Sequence, residues 1–79
     1  MSSDYHPIPC ETYAELEVAI LHGTRLRVCW MTETGDLCLS SLLPIDLRVY
    51  QREEFLVAQD PLQFKLHIRL DRIRRFAPI

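Results

Sequence analysis

Glycine is almost absent from this 79-residue chain, which contains only Gly23 and Gly35. Two isolated glycines cannot form the glycine-rich loop that cradles a phosphate. The chain also lacks the G-x-S-x-G and H-E-x-x-H motifs and any spaced carboxylate set for a hard cation. Its scattered histidines, His6, His22 and His67, are interpreted as solvated surface residues. The sequence therefore predicts no catalytic residue, metal site, cofactor or small-molecule substrate, and we expect a protein that is not an enzyme.

Cysteine is also scarce, and its spacing argues against disulfides and zinc. Cys10, Cys29 and Cys38 cannot all pair with one another, and none forms a C-x-x-C motif. The chain begins Met-Ser-Ser-Asp, without the cationic stretch and apolar run of a secretory signal. Its longest aliphatic stretch, residues 18–21, is far too short to cross a bilayer. These features predict reduced thiols, no membrane contact and a cytoplasmic location.

Charge is present in nearly balanced amounts but is unevenly distributed. The formal net charge is −2, and 48% of the residues are apolar, which is ample for one packed domain over residues 1–79. No lysine or arginine precedes Arg25, whereas that segment carries Asp4, Glu11, Glu15 and Glu17. From Lys65 onward, five cations stand against Asp71 alone. The two ends can attract different partners, or they can neutralise each other in the fold.

The N-terminal part of the chain predicts an extended segment followed by one helix. Two prolines favour extended backbone over residues 1–11. Residues 12–15 have the spacing of a capping box, which predicts a helix over residues 12–22 that stops at Gly23. At 100° per residue, the helix face expected to dock on the domain comprises Tyr13, Leu16 and Ile20.

The rest of the chain, residues 25–76, predicts five or six short antiparallel strands. Pro44 is expected to end the second strand or to force a bulge, and a third strand is expected over residues 47–51. Pairing Thr32 with Leu37 across a four-residue turn would place Cys29 opposite Ser40. The side chains predicted to face inward are Leu26, Val28 and Trp30, then Leu37, Leu39 and Ser41, and later Phe64, Leu66, Ile68 and Leu70.

Closure would remove the exposed edges that so small a sheet could not otherwise protect. The predicted fold class is therefore mostly β with one N-terminal α-helix: a small, closed or nearly closed antiparallel β-barrel, with the helix over an open end.

Two surfaces suggest different functions. A row of carboxylates near the helix start can dock on a basic groove and exclude nucleic acid, with Tyr5, Tyr13 or Val18 as apolar anchors. Glu11 and Glu15 can equally serve the helix dipole. The alternative is an RNA-contacting edge next to Phe76, against which the negative net charge argues. That edge would comprise Arg69, Arg72, Arg74 and Arg75.

Residues 4–19 resemble the opening of the Rof family, the Rho-binding antiterminators. The matching positions there are Asp4, Tyr5, Pro7, Ile8, Cys10, Tyr13, Leu16, Glu17 and Ala19. Weaker matches follow at Gly35, at Asp46-Leu47, at residues 54–57, and at Arg69, Leu70, Asp71, Ile73 and Phe76. The resemblance implies an Sm-like (SH3-like) barrel with an N-terminal helix. It also implies binding to the N-terminal RNA-binding domain of the Rho hexamer, which blocks the primary RNA site and suppresses Rho-dependent termination.

By position, the resemblance assigns partner contacts to Glu11, Tyr13 and Glu17. The acidic pattern of the N-terminal segment adds Asp4, Tyr5 and Glu15 to this predicted partner-binding set. Relatives often place acids where this chain has Thr12 and Ala14, so its acidic surface is thinner, with Glu15 in a compensating position.

Overall fold

The computed structural model of the protein describes residues 5–79. One helix precedes five strands, and a 3₁₀ turn separates the last two strands. The elements are α1 (Cys10–His22), β1 (Leu26–Met31), β2 (Leu37–Tyr50), β3 (Glu53–Gln59), β4 (Lys65–Arg69), the 3₁₀ turn (Leu70–Arg72) and β5 (Ile73–Pro78).

Helix α1 begins earlier than the sequence pattern predicts. Pro9 is its N-cap, no side chain caps it, and the Pro9 carbonyl accepts the first helical hydrogen bond from the N–H of Tyr13 at 3.1 Å. The predicted capping box is therefore wrong, because the helix starts directly after the proline and Thr12 lies inside it. The predicted end is confirmed: Gly23 has φ +64° and closes the helix in the left-handed conformation. Residues 5–9 have no regular secondary structure.

The five strands form one antiparallel sheet in the order β4-β3-β2-β1-β5. Strand β2 is 14 residues long and pairs first with β1 and then with β3. An irregularity between Pro44 and Asp46 marks the change of partner. Pro44 therefore forces a bulge without ending the strand, and the predicted third strand over residues 47–51 is the second half of β2.

The sheet is strongly coiled, but the described backbone pairing does not close it. Strand β4 pairs only with β3, and β5 pairs only with β1, so these are the two edges. In a flat sheet the edges would lie about 19 Å apart. The connecting turn, Leu70–Arg72, can span at most about 14 Å, so the edges must approach each other there.

The core forms where α1 lies across the curved sheet. Its fully or nearly fully buried members are Leu16, Ala19, Leu26, Val28, Leu42, Leu56, Ala58, Ile68 and Leu70. Tyr5 and Ile8 of the N-terminal segment pack against this cluster, as do Tyr13 and Ile20 of the helix. Helix, strands and N-terminal segment thus share one core, and the predicted docking face of α1 is confirmed.

Two parts of the predicted inward pattern are wrong. Met31, not Thr32, pairs with Leu37, because residues 32–36 form a five-residue turn closed by a hydrogen bond from the N–H of Thr32 to the carbonyl of Asp36. This shift of one residue turns Leu37 and Leu39 outward, where they are 64% and 66% exposed.

The register shift also corrects the placement of the cysteines. Cys29 lies opposite Leu39, and Cys38 lies opposite Trp30, so the two thiols point to opposite faces of the sheet. Both are free, as is Cys10. Phe64 is the second wrong inward position, because it lies before the start of β4 and is exposed.

The core assignment predicts a large cost for truncating Leu42, which is completely buried in β2. Leu42→Ala should lower the free energy of unfolding by about 2–5 kcal/mol, since it removes buried methyl groups and leaves a cavity. Urea titration followed by circular dichroism measures the change.

Leu39→Ala is the matched control on the outer face of the same strand. It should change the unfolding free energy by less than about 0.5 kcal/mol. Equal losses in the two variants would contradict the observed register.

Candidate functional site

The exposed side of α1 is acidic. Burial of Leu16 and Ala19 fixes the roll of the helix, and at 100° per residue this turns Glu11, Glu15 and Glu17 to the outside. Glu11 and Glu15 lie one turn apart on one flank, while Glu17 lies on the other flank. All three of these predicted partner-binding residues are therefore exposed, two on one flank of the helix and one on the other.

The carboxylates on α1 lack local compensation. The helix contains no lysine or arginine, and none of the ion pairs within residues 5–79 involves Glu11, Glu15 or Glu17. Like charges one turn apart, as at Glu11 and Glu15, cost a helix a few tenths of a kcal/mol. A cationic surface placed against this side would relieve that repulsion.

An apolar groove runs beside the Glu11–Glu15 flank. It has a volume of about 610 Å³ and lies between α1, β1 and β5. Its apolar lining includes Ala14, Val18, Ala19, Leu26, Phe76 and Pro78, and Thr24 also borders it. Glu11 and Glu15 line it as well and give it an acidic rim.

The opposite flank of the helix is centred on Tyr13, which is half-buried against the core. Burial raises the pKa of its phenol, and the negative charges of Glu54, Glu17 and Asp46 raise the pKa further. Carboxylates from α1, β2 and β3 therefore act on the pKa of one phenol. Sequence reasoning missed Asp46 and Glu54 as parts of this acidic surface, because only the fold brings them to the helix.

Tyr5 is a structural anchor for the N-terminal segment. Its hydroxyl donates a hydrogen bond to Oε1 of Glu54 at 2.7 Å, and its ring lies 5.7 Å below the guanidinium carbon of Arg69. Burial, with the neighbouring Glu54 and Asp71 carboxylates, raises the pKa of the Tyr5 phenol. Asp4, the remaining predicted contact, lies outside the described residues.

Arg69 belongs to an internal network and not to an exposed basic edge. Its guanidinium donates to both carboxylate oxygens of Asp71, at 2.6 and 3.0 Å, and lies 3.6 Å from Glu53. Its side chain is only 11% exposed. Oδ2 of Asp71 also accepts a hydrogen bond from the backbone N–H of His6, at 3.2 Å.

Three of the four predicted RNA-binding arginines, Arg69, Arg72 and Arg74, line one open pocket that also contains acidic side chains. The guanidinium of Arg69 pairs with carboxylates. Nη1 of Arg72 lies 3.8 Å from Oε1 of Glu33, which belongs to the β1–β2 turn. Arg74 and Arg75 are both exposed, and Arg74 lies at the irregularity of the β1–β5 pairing, where Ile73 is opposite Trp30 and Arg75 is opposite Cys29.

The requirements of a metal site and of a membrane-spanning helix can be compared with residues 5–79. Within residues 5–79, no group of three or more His, Cys, Asp and Glu side chains is placed to hold a metal ion. Over the same residues, no helix has the length and hydrophobicity needed to span a bilayer.

The network predicts that Arg69 contributes to stability. Arg69→Met should lower the free energy of unfolding by about 2–3 kcal/mol, because it removes the guanidinium that pairs with Asp71 and lies 3.6 Å from Glu53. Arg69→Lys should restore only part of this loss, since an ammonium cannot pair bidentately with Asp71.

Arg48→Met is the control, because the Arg48–Asp46 pair lies 3.1 Å apart on an exposed surface. Its cost should stay below about 1 kcal/mol. An equal loss in Arg48→Met and Arg69→Met, measured by urea titration, would contradict the internal role of Arg69.

The raised pKa of Tyr5 predicts a loss of stability in alkali. The stabilisation is fully present below the ordinary tyrosine pKa of about 10 and is lost as pH rises above it, because the unfolded chain ionises first. Unfolding free energies measured across this range should fall more steeply in the parent chain than in Tyr5→Phe. Parallel curves would show that the folded protein does not hold this phenol neutral.

Comparison with known proteins supports the fold alone. No protein-family model and no curated protein matches the chain. Among solved structures, the proteasome accessory factor B/C (PafBC) of Arthrobacter aurescens is similar, with a TM-score of 0.76 at 19% sequence identity. The match covers 95% of this chain but 12% of that chain, so the described fold corresponds to a small part of the larger protein.

Proposed function

We propose that this chain binds the N-terminal RNA-binding domain of the Rho hexamer and blocks its primary RNA site. It would thereby inhibit Rho-dependent termination in the cytoplasm, without chemistry or a cofactor of its own. The observation that carries the proposal is the exposed acidic side of α1, where Glu11, Glu15 and Glu17 have no cationic partner among residues 5–79. The resemblance of residues 4–19 to the Rof family is the reason for proposing Rho as the partner.

Competition with RNA follows from charge. A site that holds RNA must present cations to its phosphates. The carboxylates of α1 offer those cations an alternative partner and accelerate encounter between the two proteins. Tyr13 and the half-exposed Val18 add apolar contact area next to the charges. Tyr5 acts here by holding the N-terminal segment in place, and Asp4 stays a predicted contact.

The finer fold class is part of the proposal. An Sm-like (SH3-like) barrel is supported by five antiparallel strands, by a long second strand with a bulge, and by a short 3₁₀ turn between the edge strands. Direct RNA binding by the arginine cluster is not favoured, because Arg69 and Arg72 face carboxylates.

The proposal predicts that the purified chain displaces a fluorescent RNA from the Rho hexamer at low salt. Glu15→Lys or Glu17→Lys should each raise the concentration needed for half displacement by roughly tenfold, equivalent to about 1.4 kcal/mol of binding free energy. Fluorescence anisotropy measures displacement, and urea titration confirms that the variants keep the parent stability.

Glu33→Lys is the matched control. It makes the same charge change at a side chain that is 87% exposed in the β1–β2 turn, away from the helix. Its displacement curve should overlay that of the parent chain. Equal weakening by Glu33→Lys would show that the displacement depends on net charge and not on the helix. Failure of the parent chain to displace RNA would refute the proposal.

A further inference from the structure

The β3–β4 turn displays two large apolar side chains in water. Leu62 and Phe64 are 75% and 65% exposed, although the backbone that carries them is tightly held. Oδ1 of Asp60 accepts hydrogen bonds from the N–H groups of Leu62 and Phe64, both at 2.9 Å. The backbone N–H of Asp60 also donates to the carbonyl of Phe64 at 3.0 Å. A preordered apolar tip of this kind loses little conformational entropy when it is buried in a partner.

The same corner, defined here as residues 60–65, carries a positive charge at its C-terminal end. Lys65 follows Phe64 directly and is exposed. The carboxylate of Asp60 is turned toward backbone amides and is engaged by them. The long stem of Lys65 lets its ammonium reach a carboxylate on either side of the strand.

The groove beside α1 has the complementary character. Its floor includes Val18, Phe76 and Pro78, and its acidic rim consists of Glu11 and Glu15. Its volume of about 610 Å³ lies within the range of pockets that enclose ligands larger than one side chain. An apolar side chain with an adjacent cation is the chemistry that this groove fits.

We propose that a second copy of this chain inserts its residue 60–65 corner into the groove, with Phe64 over the apolar floor and Lys65 against Glu11 and Glu15. Leu37 is similarly exposed but fits less well, because it follows Asp36, which carries the same charge as the rim.

The contact joins two different surfaces, so the association is head-to-tail. The buried surface is small, and self-association is therefore weak and sensitive to salt. Docking would cover Glu11 and Glu15 and make the helix less available at high protein concentration. Only this regulatory consequence rests on the proposed function, because the self-association is argued from the two surfaces alone.

Sedimentation equilibrium of the full chain, without Rho, tests the inference. At low salt the weight-average mass should rise above that of a monomer as the concentration approaches about 1 mM, and added salt should reverse the rise. Phe64→Ser should weaken association by at least about tenfold, because it removes the aromatic contact. Leu37→Ser, a change of a similarly exposed apolar residue that follows an acid, should leave it unchanged.

A charge swap tests the rim. Lys65→Glu and Glu15→Lys should each weaken association, and the two substitutions together should restore it. A monomeric mass at every concentration would overturn the inference. Equal effects of Phe64→Ser and Leu37→Ser would overturn it too, as would a double variant that does not regain association. RNA displacement from Rho is measured separately, so failure of either proposal is distinguishable from failure of the other.

Discussion

The packing of Leu16 and Ala19 against the curved sheet is the constraint on which the account depends. Both residues are almost completely removed from water, and burial of a leucine side chain alone stabilises the folded state by about 1.5–3 kcal/mol. Because they lie three residues apart, they define one stripe of the helix and fix its roll. A rotation by one residue would expose the stripe and press a glutamate toward the core. Hydrophobic packing thus determines where the carboxylates point.

The charged side chains at the two ends of the chain have different surroundings in the fold. The acids of α1 remain exposed, whereas Arg69 joins the N-terminal segment, the start of β3 and the 3₁₀ turn through Tyr5, Glu53 and Asp71. The cation predicted to touch RNA therefore stabilises the fold near the helix start. At the basic end, Arg69 and Arg72 are thus paired with carboxylates, whereas Arg74 and Arg75 of β5 stay exposed.

The sequence pattern anticipated features that depend on local physics and missed those that depend on distant partners. The helix end was predictable because Gly23 adopts positive φ easily, and Leu26 and Val28 followed from the alternation of β1. The outward position of Leu39 was not predictable, since one extra residue in the β1–β2 turn shifts the register of β2 and turns its side chains to the other face. Within the candidate site, the exposure of Glu15 follows from helical periodicity. The carboxylate pairing of Arg69, in contrast, follows from tertiary packing that no local pattern encodes.

The central claim is that the acidic side of α1 contacts Rho. Amide hydrogen exchange of the chain, measured with and without the Rho hexamer, tests it most directly because it reports on every element in one experiment. The account predicts that Rho slows exchange within Cys10–His22 while Lys65–Arg69, which does not line the groove beside α1, remains unaffected. Slower exchange confined to Ile73–Pro78, with the helix unchanged, would contradict it.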